Sequence, residues 1–302
     1  MKKLLITGAW RYTAEQYHSL LDMGYEICLM PNERDALPED AKDVEVIVCN
    51  GLFLYHDVEC FPNLKTVQLT SAGLDRVPMD KMNERGISVF NARGVYSIPM
   101  AEYALCGVLD LYKKSRFFYE NQKAGKWEKH RGMTELFGKN VLIVGSGNVG
   151  TECAKRFAAF GAHVRGVDLY PREDGNYEKI LPLDRLKNEL SQADVVVLTL
   201  PLTEQTKHLI DREMLSRVKT GAILVNIARG AVVDTESLVE ALENGALSGA
   251  VLDVFEEEPL NATSPLWKME NVIVTPHNSF VGDGNGERLF GVIKDNLKRG
   301  LE

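Results

Sequence analysis

The feature that most constrains the fold is a glycine-rich turn between an apolar strand and a helix. In "VLIVGSGNVG", residues 141–150, Gly145, Gly147 and Gly150 follow the strand and lead directly into the helical pattern "TECAKRFAAFG". Gly145 allows a tight turn, Gly147 lets backbone N–H groups approach a pyrophosphate at the helix N-terminus, and Gly150 allows close packing of helix on strand. The motif therefore predicts a βαβ unit that binds a dinucleotide, and a glycine-rich turn without a ligand is the alternative.

An acidic residue after the next strand strengthens this interpretation. The strand "HVRGVD" ends at Asp168, about 20 residues beyond the glycines, where a carboxylate accepts hydrogen bonds from both ribose hydroxyls of NAD. Asp168 should also repel a 2′-phosphate, which favours NAD over NADP. Arg172 is close enough in sequence to weaken that preference.

Apolar runs alternate with amphipathic stretches along the chain, which is the pattern of parallel α/β proteins. In the first part, strands are predicted at "KLLITG", "YEICLM", "VEVIVCN", "LKTVQLT" and "GISVF". After Trp127, strands are predicted at "NVLIVG", "HVRGVD", "DVVVLTL", "AILVNI", "GAVLDVF" and "NVIVTPH", enough for a complete doubly wound sheet. We therefore predict an α/β fold with two doubly wound parallel-sheet domains. A flavodoxin-like substrate domain would comprise residues 1–96 plus 280–302, and a Rossmann cofactor domain would comprise residues 97–279.

One long helix is predicted between the two series of strands, from Ser97 to Gly125, with Ser97 as N-cap and Pro99 in the first turn. Its middle, Ala101 to Leu111, is apolar on nearly all sides. One domain does not easily cover so much apolar surface, so we predict a homodimer. The alternative is that this helix packs wholly inside the chain.

Three chemically active side chains follow successive predicted strands of the second domain. Arg229 follows "AILVNI", Glu258 follows the strand that reaches Phe255, and His277 ends "VIVTPH". Ligands of doubly wound sheets gather at the carboxyl ends of the strands, so these side chains are candidates for chemistry.

Each candidate has a purely structural alternative. Arg229 could form an ion pair with Asp234, because a buried guanidinium usually finds a carboxylate. Glu258 is one of three consecutive glutamates, and such runs are usually solvated. His277 could be a loop histidine whose ring nitrogens form hydrogen bonds with neighbouring residues and have no catalytic role.

Charge and cysteine usage exclude several other classes. The formal net charge is −8, and no basic run of the nucleic-acid-binding type occurs, so nucleic acid is not expected as a partner. The apolar stretch of "MKKLLITGAW" is too short for a signal peptide or a membrane span, so no membrane association is expected. The 5 cysteines lack CxxC spacing, and neither disulfides nor a metal site are expected. These features predict a reduced, cytoplasmic protein.

The order of the motifs resembles that of the D-isomer-specific 2-hydroxyacid dehydrogenases, the family that includes D-lactate, glyoxylate/hydroxypyruvate and phosphoglycerate dehydrogenases. The matching segments are GSGNVG, Asp168, "PLTEQT", "NIARGAVVD", "LDVFEEEP" and "TPH", and the match runs from Ser71 through His277. The resemblance implies an oxidoreductase that transfers a hydride between NAD(H) and a small 2-hydroxy acid or 2-oxo acid of D configuration.

Residue roles follow from the same resemblance. It implies that Arg229 binds the substrate carboxylate and carbonyl, that His277 is the acid/base, and that Glu258 is the carboxylate that holds His277. Backbone N–H groups at Ala72 and Gly73 would hold the substrate carboxylate. The cofactor contacts implied by motif and resemblance are Gly145, Ser146, Gly147, Asn148, Val149, Gly150, Asp168, Pro201, Thr206, Ala228 and Asp253.

The substrate is less constrained than the reaction. "CNGLFLYHD" carries Leu52, Phe53 and Leu54 but no Arg or Lys, where relatives contact the variable end of the substrate. This favours a small or apolar 2-oxo acid over a phosphorylated one, although phosphoglycerate dehydrogenase remains an alternative within the family. Phe280, after the histidine, could narrow the substrate pocket. An alternative of another class is an NAD-sensing binding protein without turnover.

Overall fold

The computed structural model describes residues 1–299 and divides the chain into two compact units. Unit 1 contains residues 1–96 and the segment from residue 282 onward, and unit 2 is Ser97–Val281. The predicted domains divide at 96/97 and 279/280, whereas the second boundary between the units lies at 281/282. Residues 300–302 of the predicted first domain lie outside the described residues.

Unit 1 is built on a sheet of five parallel strands in the order β2-β1-β3-β4-β5. The strands are β1 Lys2–Thr7, β2 Tyr25–Met30, β3 Val46–Cys49, β4 Thr66–Leu69 and β5 Ser88–Phe90, with helices α1 Ala14–Asp22 and α2 Met79–Glu84. Every residue of β3 and β4 is buried, because core side chains cover both faces of the sheet. The chain runs from β1 to β2 on one side and returns to β3 on the other, so the topology reverses at β1.

Unit 2 is built on seven parallel strands in the order β12-β11-β10-β9-β6-β7-β8. They are β6 Asn140–Val144, β7 His163–Asp168, β8 Lys179–Pro182, β9 Val195–Leu198, β10 Ala222–Asn226, β11 Leu247–Leu252 and β12 Val272–Val274. The predicted α/β class with two doubly wound parallel sheets is confirmed. The prediction of six strands in the second sheet missed β8. This short edge strand carries Lys179 and Pro182 and therefore lacks a clear apolar run.

The prediction of one helix from Ser97 to Gly125 is wrong. The chain forms α3 Ser97–Lys113 and α4 Ser115–Lys123, and Lys114 between them has the left-handed angles φ 56° and ψ 41°. The two helices differ in burial, since much of α3 lies in the core whereas α4 has no buried residue. The remaining helices are α5 Asn148–Ala159, α6 Leu186–Leu190, α7 Arg212–Leu215, α8 Thr235–Glu243 and, in unit 1, α9 Asn285–Arg299.

The apolar face of α3 is covered by unit 2 itself. Ala101, Ala104 and Val108 are 0% exposed and belong to the same core cluster as strands β6, β9 and β10. At Gly107 an added Cβ would lie 2.6 Å from a methyl group of Val251, so α3 approaches the sheet closely. The helix therefore packs inside the chain, and its apolar face does not require a second copy of the chain to cover it. The dimer itself stays a prediction.

Within residues 1–299, no helix combines the length and the apolar character that a membrane crossing requires. The same residues contain no cluster of three or more His, Cys, Asp or Glu side chains that could hold a metal ion.

Candidate active site

The glycine-rich turn has a geometry that only glycine allows at two positions. Gly145 has φ +97°, and a Cβ there would lie 2.8 Å from the backbone nitrogen of Leu200. A Cβ at Gly150 would lie 2.1 Å from the carbonyl oxygen of Gly145. Gly147 is the N-cap of α5, and nothing lies within 4 Å of the position that its Cβ would take. The turn thus leaves open space beside the N-terminus of a helix, where unpaired N–H groups favour a phosphate.

Asp168 is held against this turn. Its Oδ2 accepts hydrogen bonds from the backbone nitrogen of Ser146 at 2.6 Å and from Ser146 Oγ at 2.9 Å. Its Oδ1 accepts from the backbone nitrogen of Tyr170 at 2.9 Å. The carboxylate at the end of β7 is therefore fixed beside the glycine-rich turn.

Arg172 lies against the same turn. Its Nη2 donates to the carbonyl oxygen of Ser146 at 2.5 Å and to Thr151 Oγ1 at 3.0 Å. The guanidinium also forms a 3.4 Å ion pair with Asp174. A cation at this position offsets part of the repulsion that Asp168 would exert on a 2′-phosphate. The charge argument against NADP is therefore weaker than the sequence alone suggests.

Arg229 follows β10 in a turn that a buried asparagine organises. Asn226, 1% exposed, donates from Nδ2 to the carbonyl oxygen of Arg229 at 3.1 Å, and its Oδ1 accepts from the backbone nitrogen of Ala228 at 3.1 Å. At Gly230 a Cβ would lie 1.8 Å from the carbonyl carbon of Phe255, so only glycine lets this turn approach the loop after β11. Asn226 is not among the residues predicted from the sequence, although a polar residue that ends an otherwise apolar strand is a usable signal.

Arg229 and Asp234, the two members of the alternative ion pair, each have a hydrogen-bond partner close in sequence. Asp234 accepts a hydrogen bond from Ser237 Oγ at the start of α8. Arg229 Nη1 donates to the carbonyl oxygen of Ala228 at 2.7 Å.

His277 and Glu258 form a direct pair. His277 Nδ1 lies 2.9 Å from Glu258 Oε2, and Glu258 Oε1 accepts from the backbone nitrogen of Phe255 at 3.0 Å. Because an ionised carboxylate can only accept, Nδ1 carries the proton in this pair. The other ring nitrogen, Nε2, is then the one that can exchange a proton with a substrate.

The turn that carries His277 is fixed by Asp253. Asp253 is 0% exposed, and its carboxylate accepts hydrogen bonds from Thr275 Oγ1 at 2.6 Å, Asn278 N at 2.7 Å and Ser279 N at 2.8 Å. The backbone nitrogen of His277 donates to the carbonyl oxygen of Asp253 at 2.8 Å. Asp253 therefore anchors the turn, and the cofactor contact that the resemblance implies for Asp253 stays a prediction.

Arg229, Glu258 and His277 follow β10, β11 and β12, which are neighbours in the sheet. Neighbouring strands lie about 4.8 Å apart, so the three turns share one region of the carboxyl edge. This edge offers a guanidinium for an anion and an imidazole, oriented by a carboxylate, for proton transfer.

The remaining predicted residues have simpler surroundings. Thr206 is 3% exposed, and its hydroxyl donates to the carbonyl oxygen of Pro201 at 2.7 Å. In unit 1, the carbonyl oxygen of Ala72 accepts from Asn91 Nδ2 at 2.7 Å, and that of Gly73 accepts from Ser71 Oγ at 3.1 Å. The N–H groups of Ala72 and Gly73 make no hydrogen bond within the described part of the chain.

Comparisons with known proteins agree with the motif order. The family model described as "D-isomer specific 2-hydroxyacid dehydrogenase, NAD binding domain" matches residues 105–279. The (S)-sulfolactate dehydrogenase of Chromohalobacter salexigens is 37% identical over 80% of this chain and 79% of that protein. A glyoxylate reductase of Thermofilum pendens is 34% identical over 82% of this chain and 75% of that protein.

Comparison with a solved structure indicates the same family. A D-isomer specific 2-hydroxyacid dehydrogenase family protein from Aeromonas salmonicida superposes with a TM-score of 0.85 and 32% identity, covering 99% of this chain and 96% of that chain.

Proposed function

Because the chain belongs to the D-isomer-specific 2-hydroxyacid dehydrogenase family, we propose that it interconverts a small 2-oxo acid and the corresponding 2-hydroxy acid of D configuration. The single observation that supports this most directly is the 2.9 Å contact between His277 Nδ1 and Glu258 Oε2. It gives an exposed imidazole the fixed tautomer and orientation that an acid/base needs.

The proposed chemistry divides between two side chains and the cofactor. A bound nicotinamide cofactor supplies or accepts the hydride. In reduction, protonated His277 gives the proton on Nε2 to the keto oxygen, so negative charge does not accumulate there. Arg229 binds the substrate carboxylate through a forked contact and polarises the carbonyl. In oxidation, neutral His277 accepts the hydroxyl proton.

We propose NAD as the cofactor and NADP as the less favoured alternative. The turn Gly145–Gly150 would hold the pyrophosphate and Asp168 the ribose hydroxyls, while Pro201, Thr206, Ala228 and Asp253 would line the rest of the cofactor site. Support comes from the open space at Gly147 and from the fixed position of Asp168 beside Ser146. The NADP alternative depends on Arg172, whose guanidinium lies against the same turn.

A small 2-oxo acid is the proposed substrate class, with Ala72 and Gly73 as proposed carboxylate contacts. Phosphoglycerate dehydrogenase remains the alternative, and the names of relatives include both glyoxylate reductase and D-3-phosphoglycerate dehydrogenase. An NAD-sensing binding protein without turnover is the alternative of another class.

The test is NADH and NADPH oxidation with glyoxylate, pyruvate, hydroxypyruvate, branched 2-oxo acids and a phosphorylated hydroxypyruvate. The proposal expects turnover with at least one unphosphorylated acid and a higher kcat/KM with NADH. Tight NADH binding without turnover on any of these acids would contradict it and favour the sensor.

A further inference from the structure

Unit 1 contains a crevice at the carboxyl ends of β1 and β3, where its sheet topology reverses. The crevice has a volume of about 440 Å³, within the range of about 300–1,000 Å³ that small-molecule sites occupy. In open α/β sheets, ligands bind outside the carboxyl ends of the strands at this reversal point. Its main lining residues are Gly8, Glu33, Arg34, Gly51, Tyr55 and Arg76.

The one carboxylate in the lining is already satisfied by other groups. Glu33 Oε1 accepts from Thr7 Oγ1 and from the backbone nitrogen of Asn50, both at 2.7 Å. Its Oε2 accepts from the backbone nitrogen of Gly51 at 2.8 Å. The Glu33 carboxylate thus accepts hydrogen bonds from the two backbone N–H groups that follow β3. It forms no ion pair with a described arginine.

Both guanidinium groups of the lining have N–H groups that form no hydrogen bond with a described residue. Arg34 Nε donates to the Tyr55 hydroxyl at 3.1 Å, and its guanidinium lies 5.3 Å from the centre of the Tyr55 ring. Its two terminal nitrogens form no hydrogen bond within residues 1–299. Arg76 forms neither a hydrogen bond nor an ion pair with any described residue, and its side chain passes close to Gly51. Both arginines are exposed, so a ligand can reach them.

The lining therefore carries two guanidinium groups and one carboxylate that is held by backbone donors. A planar guanidinium binds carboxylate, sulfonate or phosphate oxygens in a forked geometry, and two of them in one crevice favour an anion strongly. The ring of Tyr55 fixes Arg34 in place, which reduces the entropy lost when a ligand binds.

We propose that this crevice, lined by Arg34, Tyr55 and Arg76, binds a small molecule that carries a carboxylate, sulfonate or phosphate group. The segment after β3 with Leu52, Phe53 and Leu54 carries no Arg or Lys. The positive charge comes instead from the segments after β2 and β4, which the fold brings to the end of β3. The anion is either a separate molecule or a second charged group on the substrate, and the latter source rests on the proposed function.

The direct test is calorimetric titration of the full chain with inorganic phosphate, sulfate and malonate. Arg34→Gln and Arg76→Gln should each weaken binding about tenfold, because each removes one charge-assisted contact. Arg11→Gln is the matched control, since Arg11 is also exposed, lies in unit 1 and is not part of the crevice. Tyr55→Phe, which keeps the ring but removes the acceptor for Arg34 Nε, should weaken binding about threefold.

The proposal is overturned if the Arg34→Gln/Arg76→Gln double variant binds all three anions as well as Arg11→Gln does, or if the unmodified chain binds none of them. Thermal unfolding of each variant checks that the fold is kept.

Kinetics then distinguish the two sources of the anion. If the anion is part of the substrate, the double variant should raise KM for oxaloacetate, which has a second carboxylate, about tenfold or more and leave kcat/KM for glyoxylate unchanged. If it is a separate molecule, phosphate should alter glyoxylate turnover in the unmodified chain and not in the double variant. A chain without turnover would refute the proposed function, and the binding measurement would still decide the anion site.

Discussion

At the scale of single residues, the position of the imidazole depends on a buried carboxylate. His277 has the left-handed angle φ 52°, a conformation that non-glycine residues rarely adopt. Asp253 makes it possible by accepting hydrogen bonds from Thr275 Oγ1 and from the two backbone nitrogens that follow His277. The conformational cost at His277 is offset by hydrogen bonds that a fully buried carboxylate accepts.

Replacing His277 by Ala should lower kcat about 10²- to 10⁴-fold, because a general acid/base is lost. NADH affinity should change little, since the glycine turn and Asp168 do not contact His277. Stopped-flow NADH binding and steady-state rates measure the two effects separately. His18→Ala, in α1 of unit 1, is the control and should leave both unchanged. Unaltered kcat in His277→Ala would remove this side chain from the mechanism.

At the scale of elements, the loop after β11 is connected to two other segments through Glu256. Glu256 Oε1 accepts from the backbone nitrogen of Thr235 at 2.8 Å and from Thr235 Oγ1 at 2.7 Å, at the start of α8. Its Oε2 lies 2.9 Å from His208 Nε2. The sequence "EEE" gives no sign that its first glutamate differs from the second, because the partners lie 21 and 48 residues away.

Glu256→Gln should destabilise unit 2 by about 1–2 kcal/mol, because charge-assisted hydrogen bonds become neutral ones. Burial raises the pKa of the Glu256 carboxyl, but hydrogen bonds from Thr235 and His208 bring it below its ordinary value. The stabilisation is therefore complete above the unfolded-state pKa and is lost as pH falls through the lowered folded-state pKa.

Denaturant unfolding of Glu256→Gln and of Glu257→Gln at neutral and at acidic pH tests this. Glu257 is exposed and serves as the control. The difference in unfolding free energy between the two variants should be present at neutral pH and should vanish at acidic pH. A difference that is the same at both pH values would contradict the assignment.

The junction between α3 and α4 gives a second prediction at this scale. Lys114 has φ 56°, a conformation that costs a non-glycine residue about 1–2 kcal/mol. Lys114→Gly should therefore stabilise the chain, by less than that amount because glycine also gains entropy in the unfolded state. Gln122→Gly, inside α4, should instead destabilise it by up to about 1 kcal/mol. Urea unfolding measures both, and a loss of stability in Lys114→Gly would contradict the left-handed assignment.

At the scale of the whole molecule, the sequence predicts the features that depend on hydrophobic periodicity and on the order of the motifs. Alternating apolar runs predicted the class and eleven strands, and the glycine spacing predicted the turn at Gly145. The sequence did not predict the edge strand β8, because β8 lacks a clear apolar run. It did not predict the break at Lys114, because no glycine or proline marks that junction. Arg34 and Arg76 were missed for another reason: their positions acquire meaning only when the sheet order places them beside Gly51.

The core of unit 1 includes side chains from both ends of the described chain. Leu289, Ile293 and Leu297 of α9 pack with Leu4 and Ile6 of β1, and the Tyr25 hydroxyl donates to the carbonyl oxygen of Leu297 at 3.0 Å. Ile293 is 0% exposed. Ile293→Ala should therefore cost about 2–5 kcal/mol of unfolding free energy. Asp295→Ala, on the exposed side of α9, is the control for denaturant unfolding, and equal effects of the two changes would contradict this packing.

This arrangement also sets an order of events during translation. Unit 2 is continuous in sequence, so all of its residues are synthesised before α9. The five-stranded sheet, although synthesised first, keeps Leu4 and Ile6 uncovered until α9 emerges. We therefore expect a released chain truncated before α9 to contain a protease-resistant second unit and a protease-sensitive first unit.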